Sequence, residues 1–358
     1  MADNKDKKVL NVPHLRFPEF TEEWKRKRFK DVCNITTGNK NTQDKSDDGI
    51  YPFYVRSQIV ERINSWTFDG EAILTAGDGV GVGKVFHYST GKIGVHQRVY
   101  ILSDFKCDGK YLYSYFAGNF YNRVKRMSAK NSVDSVRMEM IADMPISLPS
   151  TEEQKKIGHL LALLDERIAT QNKIIEKLES LIKGIAHKVA EMGKPNIRIA
   201  ECLECTSSTL QESEVSDLGT YPVYGANGIV GYLDSYNTSD EAIYIVKDGS
   251  GVGSVIYVKG RCSATGTLNI LTAKQDYSLQ FLYYLLRVFN YDPYKTGMAI
   301  PHIYFKDYGK AKIFCPPYAG QLRYAQMLDA IDTKLLTEQK FLISLNCQKQ
   351  YLLRQMFI

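Results

Sequence analysis

The run DGVGVGKVFHY at residues 78–88 returns as DGSGVGSVIYV at residues 248–258, 170 positions later. The same interval carries Tyr51-Pro52 onto Tyr221-Pro222 and Glu71-Ala72-Ile73 onto Glu241-Ala242-Ile243. Self-similarity at nearly half the length of a 358-residue chain predicts two copies of one architecture. What the copies share in this run is Asp-Gly-x-Gly-Val-Gly. It reads as a tight turn between two strands, where glycine supplies positive φ and lets another backbone or a ligand come close.

A glycine-rich loop followed by lysine suggests phosphate binding, but the spacing is wrong. A phosphate loop needs two glycines with four residues between them, then Lys and Ser/Thr, so that a hydroxyl meets magnesium. Here five residues separate Gly77 from Gly83, and Val85 follows Lys84. Glycines at 77, 79, 81 and 83 also miss the dinucleotide fingerprint. In the second copy Lys84 becomes Ser254 and Gly77 becomes Lys247, so only the turn survives.

Around the turn, EAILTA, KVFHYS and RVYIL read as strands from their β-branched and aromatic residues. KYLYSYFAGN then reads as a helix, with QFLYYLLRVFN as its counterpart. A short strand, MPISLP, closes the first unit and is matched by AKIFCP.

Each unit is followed by a long helix. After Pro149, Ser150 or Thr151 is the expected N-cap, with acids in the first turn. Ile157, Leu161, Leu164, Ile168, Gln171, Ile175, Leu178, Ile182, Ile185 and Val189 recur in steps of four and three, the heptad seam of a coiled coil. Met192, Gly193 and Pro195 end it. The same seam recurs 167 positions on, at Tyr324, Leu328, Ile331, Leu335, Glu338, Leu342, Leu345, Lys349, Leu352 and Met356. Gln171 falls on Glu338, so both seams are polar at one phase, a device that fixes register and partner. Chain order makes the pair antiparallel, and ~39 residues at ~1.5 Å each give ~58 Å. The expected fold is therefore α+β: two mixed α/β domains joined by a long antiparallel two-helix coiled coil, with an internal pseudo-two-fold repeat. The expected boundaries are residues 1–149, 150–192, 193–316 and 317–358.

Composition narrows the function classes. The chain is 44% hydrophobic and 24% charged, as globular proteins are, and no apolar run reaches the ~18 residues of a membrane helix. The start, MADNKDKKVLNVP, is a polar tail without a signal peptide's apolar stretch, which predicts a cytoplasmic protein. The net charge of +6 permits nucleic acid as a partner, and the run KRKR at residues 25–28 reads first as a solvated face. Seven scattered cysteines suit free thiols, and the pair Cys202 and Cys205 has no second pair at zinc spacing. No metal is expected. The six histidines form no metalloprotease pattern, and there is no nucleophile elbow. Glu153-Gln154-Lys155 reads as helix N-terminal charge. CPPY at residues 315–318 is close to the motif with which DNA amino-methyltransferases hold a base, but cysteine is a poor acceptor for an exocyclic amine. No donor-binding glycine loop accompanies it. No catalytic residue is expected.

PHLRFPEFTEEWKRKRFKDV near the start, YPVYGANGIVGYLD, LPSTEEQKKIGHLLALLDERI and the terminal LLRQMF together resemble the specificity subunits of type I restriction–modification systems. The resemblance covers essentially the whole chain. It departs at Pro149-Ser150, where the family's first helix usually begins after Pro-Pro. It implies two target-recognition domains, each reading one half of a split site in double-stranded DNA. It further implies helices that hold them apart and dock two modification (methyltransferase) subunits, with restriction (endonuclease/translocase) subunits joining for cleavage. S-adenosylmethionine would sit in the modification subunit, and ATP with magnesium in the restriction subunit, leaving this chain without a cofactor. Half-sites one helical turn apart lie ~34 Å from each other.

Base reading needs donors and acceptors on loops. The candidates in the first copy are Arg56, Ser57, Lys84, His96, Gln97, Arg98, Lys130, Asn131 and Arg137. Those in the second are Asn227, Lys247, Ser250, Thr265, Lys295, Thr296, His302 and Tyr304. Each could meet a base, a phosphate or only water. Two other readings compete: a coiled-coil scaffold with two protein-binding heads, and a free-standing adenine methyltransferase.

Overall fold

The structure, a computed structural model, describes residues 11–127, 135–298 and 300–358. Lys130 and Asn131 lie outside the described residues. The chain divides into two compact units, Met1–Gln171 with Phe341–Ile358, and Asn172–Lys340.

In chain order the first stretch holds β1 (Lys25–Arg28), α1 (Phe29–Val32), β2 (Asn34–Thr37), β3 (Tyr51–Tyr54), β4 (Glu61–Ile63), β5 (Phe68–Ala76), β6 (Phe86–Val95), β7 (Val99–Ser103), α2 (Gly109–Met127), α3 (Met138–Ala142) and β8 (Pro145–Leu148). The long helix α4 (Thr151–Glu191) follows. Then come β9 (Ile197–Arg198), α5 (Ile199–Cys202), β10 (Leu203–Ser207), β11 (Tyr221–Gly225), β12 (Gly228–Leu233), β13 (Ala242–Val246), β14 (Val255–Val258), β15 (Ser263–Ala264), β16 (Leu268–Ala273), α6 (Leu279–Val288), α7 (Phe305–Tyr308), β17 (Lys312–Ile313) and the second long helix, α8 (Tyr318–Gln355).

Both units are mixed α/β, and they share one strand plan. In the first unit six strands form one sheet in the order β2-β7-β5-β6-β3-β4. In the second the matching strands form two sheets, β10-β16-β13-β14 and β12-β11-β15. The difference lies in β6, whose ten residues run unbroken. Its counterpart is split into β14 and β15 across residues 259–262, where Gly260 takes a φ of 79°. Each unit keeps one parallel pair, β3 with β6 and β11 with β15.

The cores are aromatic. Phe29, Tyr111, Phe116 and Phe120 pack with Ile73 and Leu102 in the first unit, and Phe281, Leu282 and Tyr308 with Ile243 and Leu271 in the second. Apolar residues at 116, 120 and 124 keep a helical period, which carries α2 well past the ten residues that sequence predicts. Helix α6 stops at Val288, short of the turn at Asp292-Pro293.

Ser150 caps α4, its hydroxyl accepting from the Glu153 amide at 3.3 Å. Forty-one residues make α4 about 60 Å long at ~1.5 Å per residue. Of its seam positions, Ile157, Leu161, Leu164, Gln171, Ile175, Ile182 and Val189 are buried, and Ile168, Leu178 and Ile185 half-buried. In α8, Leu328, Leu335 and Leu345 are buried, as is Met356 just beyond its end, and Ile331, Glu338, Leu342 and Leu352 are half-buried. Within the first unit Asp165 pairs with Lys349, and Arg167 stacks on Phe341, so the two helices run antiparallel there. Within the second, the Tyr324 hydroxyl near the start of α8 meets the Met192 sulfur just past the end of α4 at 3.2 Å.

Candidate nucleic-acid interface

The glycine turn links β5 to β6 in the first unit and β13 to β14 in the second. Gly79 and Gly83 have φ of 76° and 66°, and their counterparts Gly249 and Gly253 have 93° and 90°. A Cβ on Gly83 would lie 2.9 Å from Tyr121, and one on Gly253 3.0 Å from Tyr291, again 170 positions on. The turn is thus seated on a tyrosine in both units.

Two further segments close around it by matching backbone bonds. The Val136 amide donates to the Gly77 carbonyl at 2.7 Å, as Ile303 does to Lys247 at 2.9 Å. Gly77 donates to Arg98 at 2.8 Å, as Lys247 does to Thr267 at 3.0 Å. His96 donates to Tyr54 at 3.0 Å, as Thr265 does to Tyr224 at 2.9 Å. The backbone frame is one design used twice.

The side chains on that frame differ. In the first unit Asp78 binds Arg56 at 2.8 Å and Arg98 at 2.9 Å. Together with Asn41, Thr42, Gln43, His96 and Gln97 they line an open polar groove. The Gln97 amide donates to Asn41 at 2.6 Å, which holds both in place. The His96 ring accepts at Nδ1 from the Arg98 amide at 3.0 Å, which puts its proton on Nε2. Burial holds His96 below its ordinary pKa, the Arg56 guanidinium pushes the same way, and Asp78 opposes them. In the second unit the matching Asp248 binds His302 Nδ1 at 2.6 Å. There Thr265, Gly266 and Thr267 occupy the places of His96, Gln97 and Arg98.

The remaining candidates fall around this frame. Arg56, Ser57, Gln97, Arg98 and Arg137 are exposed, as are Asn227, Ser250, Lys295, Thr296 and Tyr304. Ser57 turns its hydroxyl to the Ile59 carbonyl at 3.0 Å. Lys84 is exposed, with its ammonium 5.9 Å from the Tyr121 ring centre. Arg137 leads into α3 two positions after Ser135, which bridges to Asp78. Asn227 sits at the β11–β12 turn and Ser250 in the glycine turn, while Lys247 is half-buried beneath the latter. Lys295 reaches back to Asp292 at 2.7 Å, and Thr296 pairs by backbone with His302.

Thr265 has to be corrected. It is 1% exposed, and its hydroxyl shares a 2.8 Å hydrogen bond with Thr267, so it cannot reach a base edge. Its counterpart His96, 5% exposed, occupies the same inward slot; the two positions after it, Gln97 and Arg98, are exposed, while Gly266 and Thr267 are half-buried. Sequence reading missed Asp78, Asp248 and the segment at residues 41–43. The latter carries a signal: Asn41 with Asp44, and Gln211 with Glu214, are reciprocal caps at matching places. Among the described residues no group of three or more His, Cys, Asp or Glu is placed to hold a metal ion, and no helix is long and apolar enough to cross a membrane.

Comparison with known proteins adds a family. The model of the type I restriction modification DNA specificity domain matches residues 21–180 and again 197–346. The EcoDI specificity subunit of Escherichia coli is 28% identical over 167 residues, covering 47% of this chain but only 37% of that protein. A putative type I specificity subunit of Mycoplasma pneumoniae is 22% identical over 330 residues, covering 85% of this chain and 88% of its own. The crystal structure of a type I restriction–modification system S subunit from M. genitalium superposes with a TM-score of 0.73 at 18% identity, over 97% of this chain and 99% of that one.

Proposed function

Because the chain belongs to the type I restriction–modification DNA specificity family, whose members are non-catalytic specificity subunits, we propose that each of its two units reads one half of a bipartite, asymmetric DNA site. One observation carries this reading. The two units share the turn, the tyrosine under it and the closing backbone bonds, yet present different side chains on that frame: Arg56 and Arg98 on Asp78 with Gln97 beside them, against His302 on Asp248. Divergent donors on a repeated scaffold are what two different half-sites demand. In this reading α4 and α8 set the interval between the half-sites and dock two modification subunits, which carry S-adenosylmethionine. Restriction subunits with ATP and magnesium complete the complex in the cytoplasm.

The test is exchange of residues 196–315 for the same region of a relative, followed by methylome sequencing of the host. The expected result is a change in one half of the recognised sequence, with the other half and the spacer kept. A change in both halves, or in neither, overturns independent reading. The purified chain should transfer no methyl group until a modification subunit is added. Turnover by the chain alone would favour a free-standing methyltransferase, and absence of DNA binding with that subunit present would favour a protein scaffold.

A further inference from the structure

The basic run at residues 25–28 lies outside the groove, and all four of its side chains are exposed. At its end the structure gathers charge. Arg28 and Lys30 both bind one oxygen of Asp143, at 3.1 and 2.8 Å. Arg123 of α2 approaches from the neighbouring side. It is half-buried, donates from Nε to the Met140 carbonyl at 2.7 Å, and has its pKa lowered chiefly by burial. With Arg126 it lines a recess floored by Tyr115, Asn119 and Met144. Among the described residues Asp143 pairs with Arg28 and Lys30, and Arg123 stands within reach of its charge and of the like charges of Arg28 and Arg126.

We propose that the first unit carries a DNA phosphate-binding recess, lined by Arg123 and Arg126, flanked by the Arg28–Lys30–Asp143 cluster, and separate from the groove that faces the bases. It rests on the reading that this unit binds duplex DNA.

Two observations favour phosphate over a solvated face. The cluster does not repeat. Framework features recur in the second unit, including the cap in which Asp31 accepts from the Arg28 amide and Glu201 from the Arg198 amide. Yet of the four cations only Arg28 is kept, as Arg198, while Lys30 becomes Ala200, Arg123 becomes Pro293 and Arg126 becomes Thr296. Cations serving the scaffold would have counterparts. The recess also adjoins the groove: α3, five residues and ~8 Å long, runs from Arg137 beside the Asp78 bridge to Asp143. A sugar–phosphate strand leaving the groove along α3 meets guanidinium forks suited to phosphate oxygens. Such contacts orient the duplex without reading sequence.

The test measures binding of the full chain, with its modification subunit, to a duplex of unrelated sequence and to its methylated target between ~50 and ~200 mM salt. Arg123→Gln with Arg126→Gln should lower the salt slope by ~1–2, weaken both duplexes several-fold and leave their affinity ratio unchanged. Lys30→Gln with Arg126→Gln replaces only exposed side chains, so it repeats the test if loss of the Arg123–Met140 bond disturbs folding. An unchanged slope in a folded variant overturns the recess, as does lost subunit assembly with DNA affinity intact, which would assign the cluster to an acidic protein surface. A wild-type complex that binds neither duplex instead overturns the DNA reading on which the recess rests.

Discussion

Arg16 closes on Glu153 across 137 positions of sequence, with Nε and Nη2 each 2.7 Å from a carboxylate oxygen. Glu153 is fully buried and Arg16 nearly so, at 0% and 12% side-chain exposure. The hydrogen bond to Glu153 is the largest cause of Arg16's raised pKa. Gly320 stands where Glu153 would fall in the second copy, so this pair ties down the first unit alone.

Arg16→Ala leaves a buried carboxylate unpaired, which costs ~3–5 kcal/mol. In a unit of this size ~1 kcal/mol moves the midpoint by ~2–4 °C, so its melting should fall by at least ~6 °C. The second unit's transition should hold. Calorimetry on the full chain checks it, and a joint fall of both transitions would contradict the assignment.

Gly83 and Gly91 separate backbone strain from crowding. Both have positive φ, 66° and 85°, but a Cβ on Gly91 meets nothing within 4 Å, whereas one on Gly83 comes within 2.9 Å of Tyr121. Gly91→Ala should cost ~1 kcal/mol. Gly83→Ala should cost at least ~1 kcal/mol more, because the ring and backbone of Tyr121 must move. Denaturant unfolding of the two variants reads the difference directly.

His96 predicts a pH dependence. Its folded pKa lies below the unfolded value of ~6.5, so its contribution is complete above that pH. It is lost as pH falls from ~6.5 towards the folded pKa, where the unfolded chain binds the proton more readily. Protonation also removes the Nδ1 acceptor of the Arg98 amide. Stability of the first unit should decline as pH falls below ~6.5, and His96→Gln should flatten that decline. Equal slopes in variant and parent would count against this account.

Asp78→Ala releases Arg56 and Arg98 from their shared carboxylate. Affinity for unrelated duplex should rise, since two freed guanidinium groups favour phosphates. Discrimination for the target should fall by ~1–3 kcal/mol for each base contact that loses its geometry. Competition binding with target and unrelated duplexes checks both signs.

The repeat, the long helices and the glycine turn were legible in the sequence because their signals are local. A heptad seam needs only apolar spacing along one helix, and Leu161, Leu164 and Ile182 are indeed buried. Positive φ at Gly79 and Gly83 follows from residues that lie side by side. What tertiary structure alone decided are the pairings across distance. Asp78 meets Arg56 and Arg98 from 22 and 20 positions away. Gln154 accepts from the Asp108 amide at 3.0 Å, as Gln321 does from Ser278 at 2.8 Å, a matched clamp hidden inside what reads as helix-end polarity. Thr265 carries the same hydroxyl whether it faces solvent or core. Only the bond from its amide to Tyr224, made when two sheet segments meet, turns it inward. Composition and spacing record what each residue can do along its own element. Which partner it meets is set by strands and loops brought together from far along the chain, a choice that no local pattern encodes.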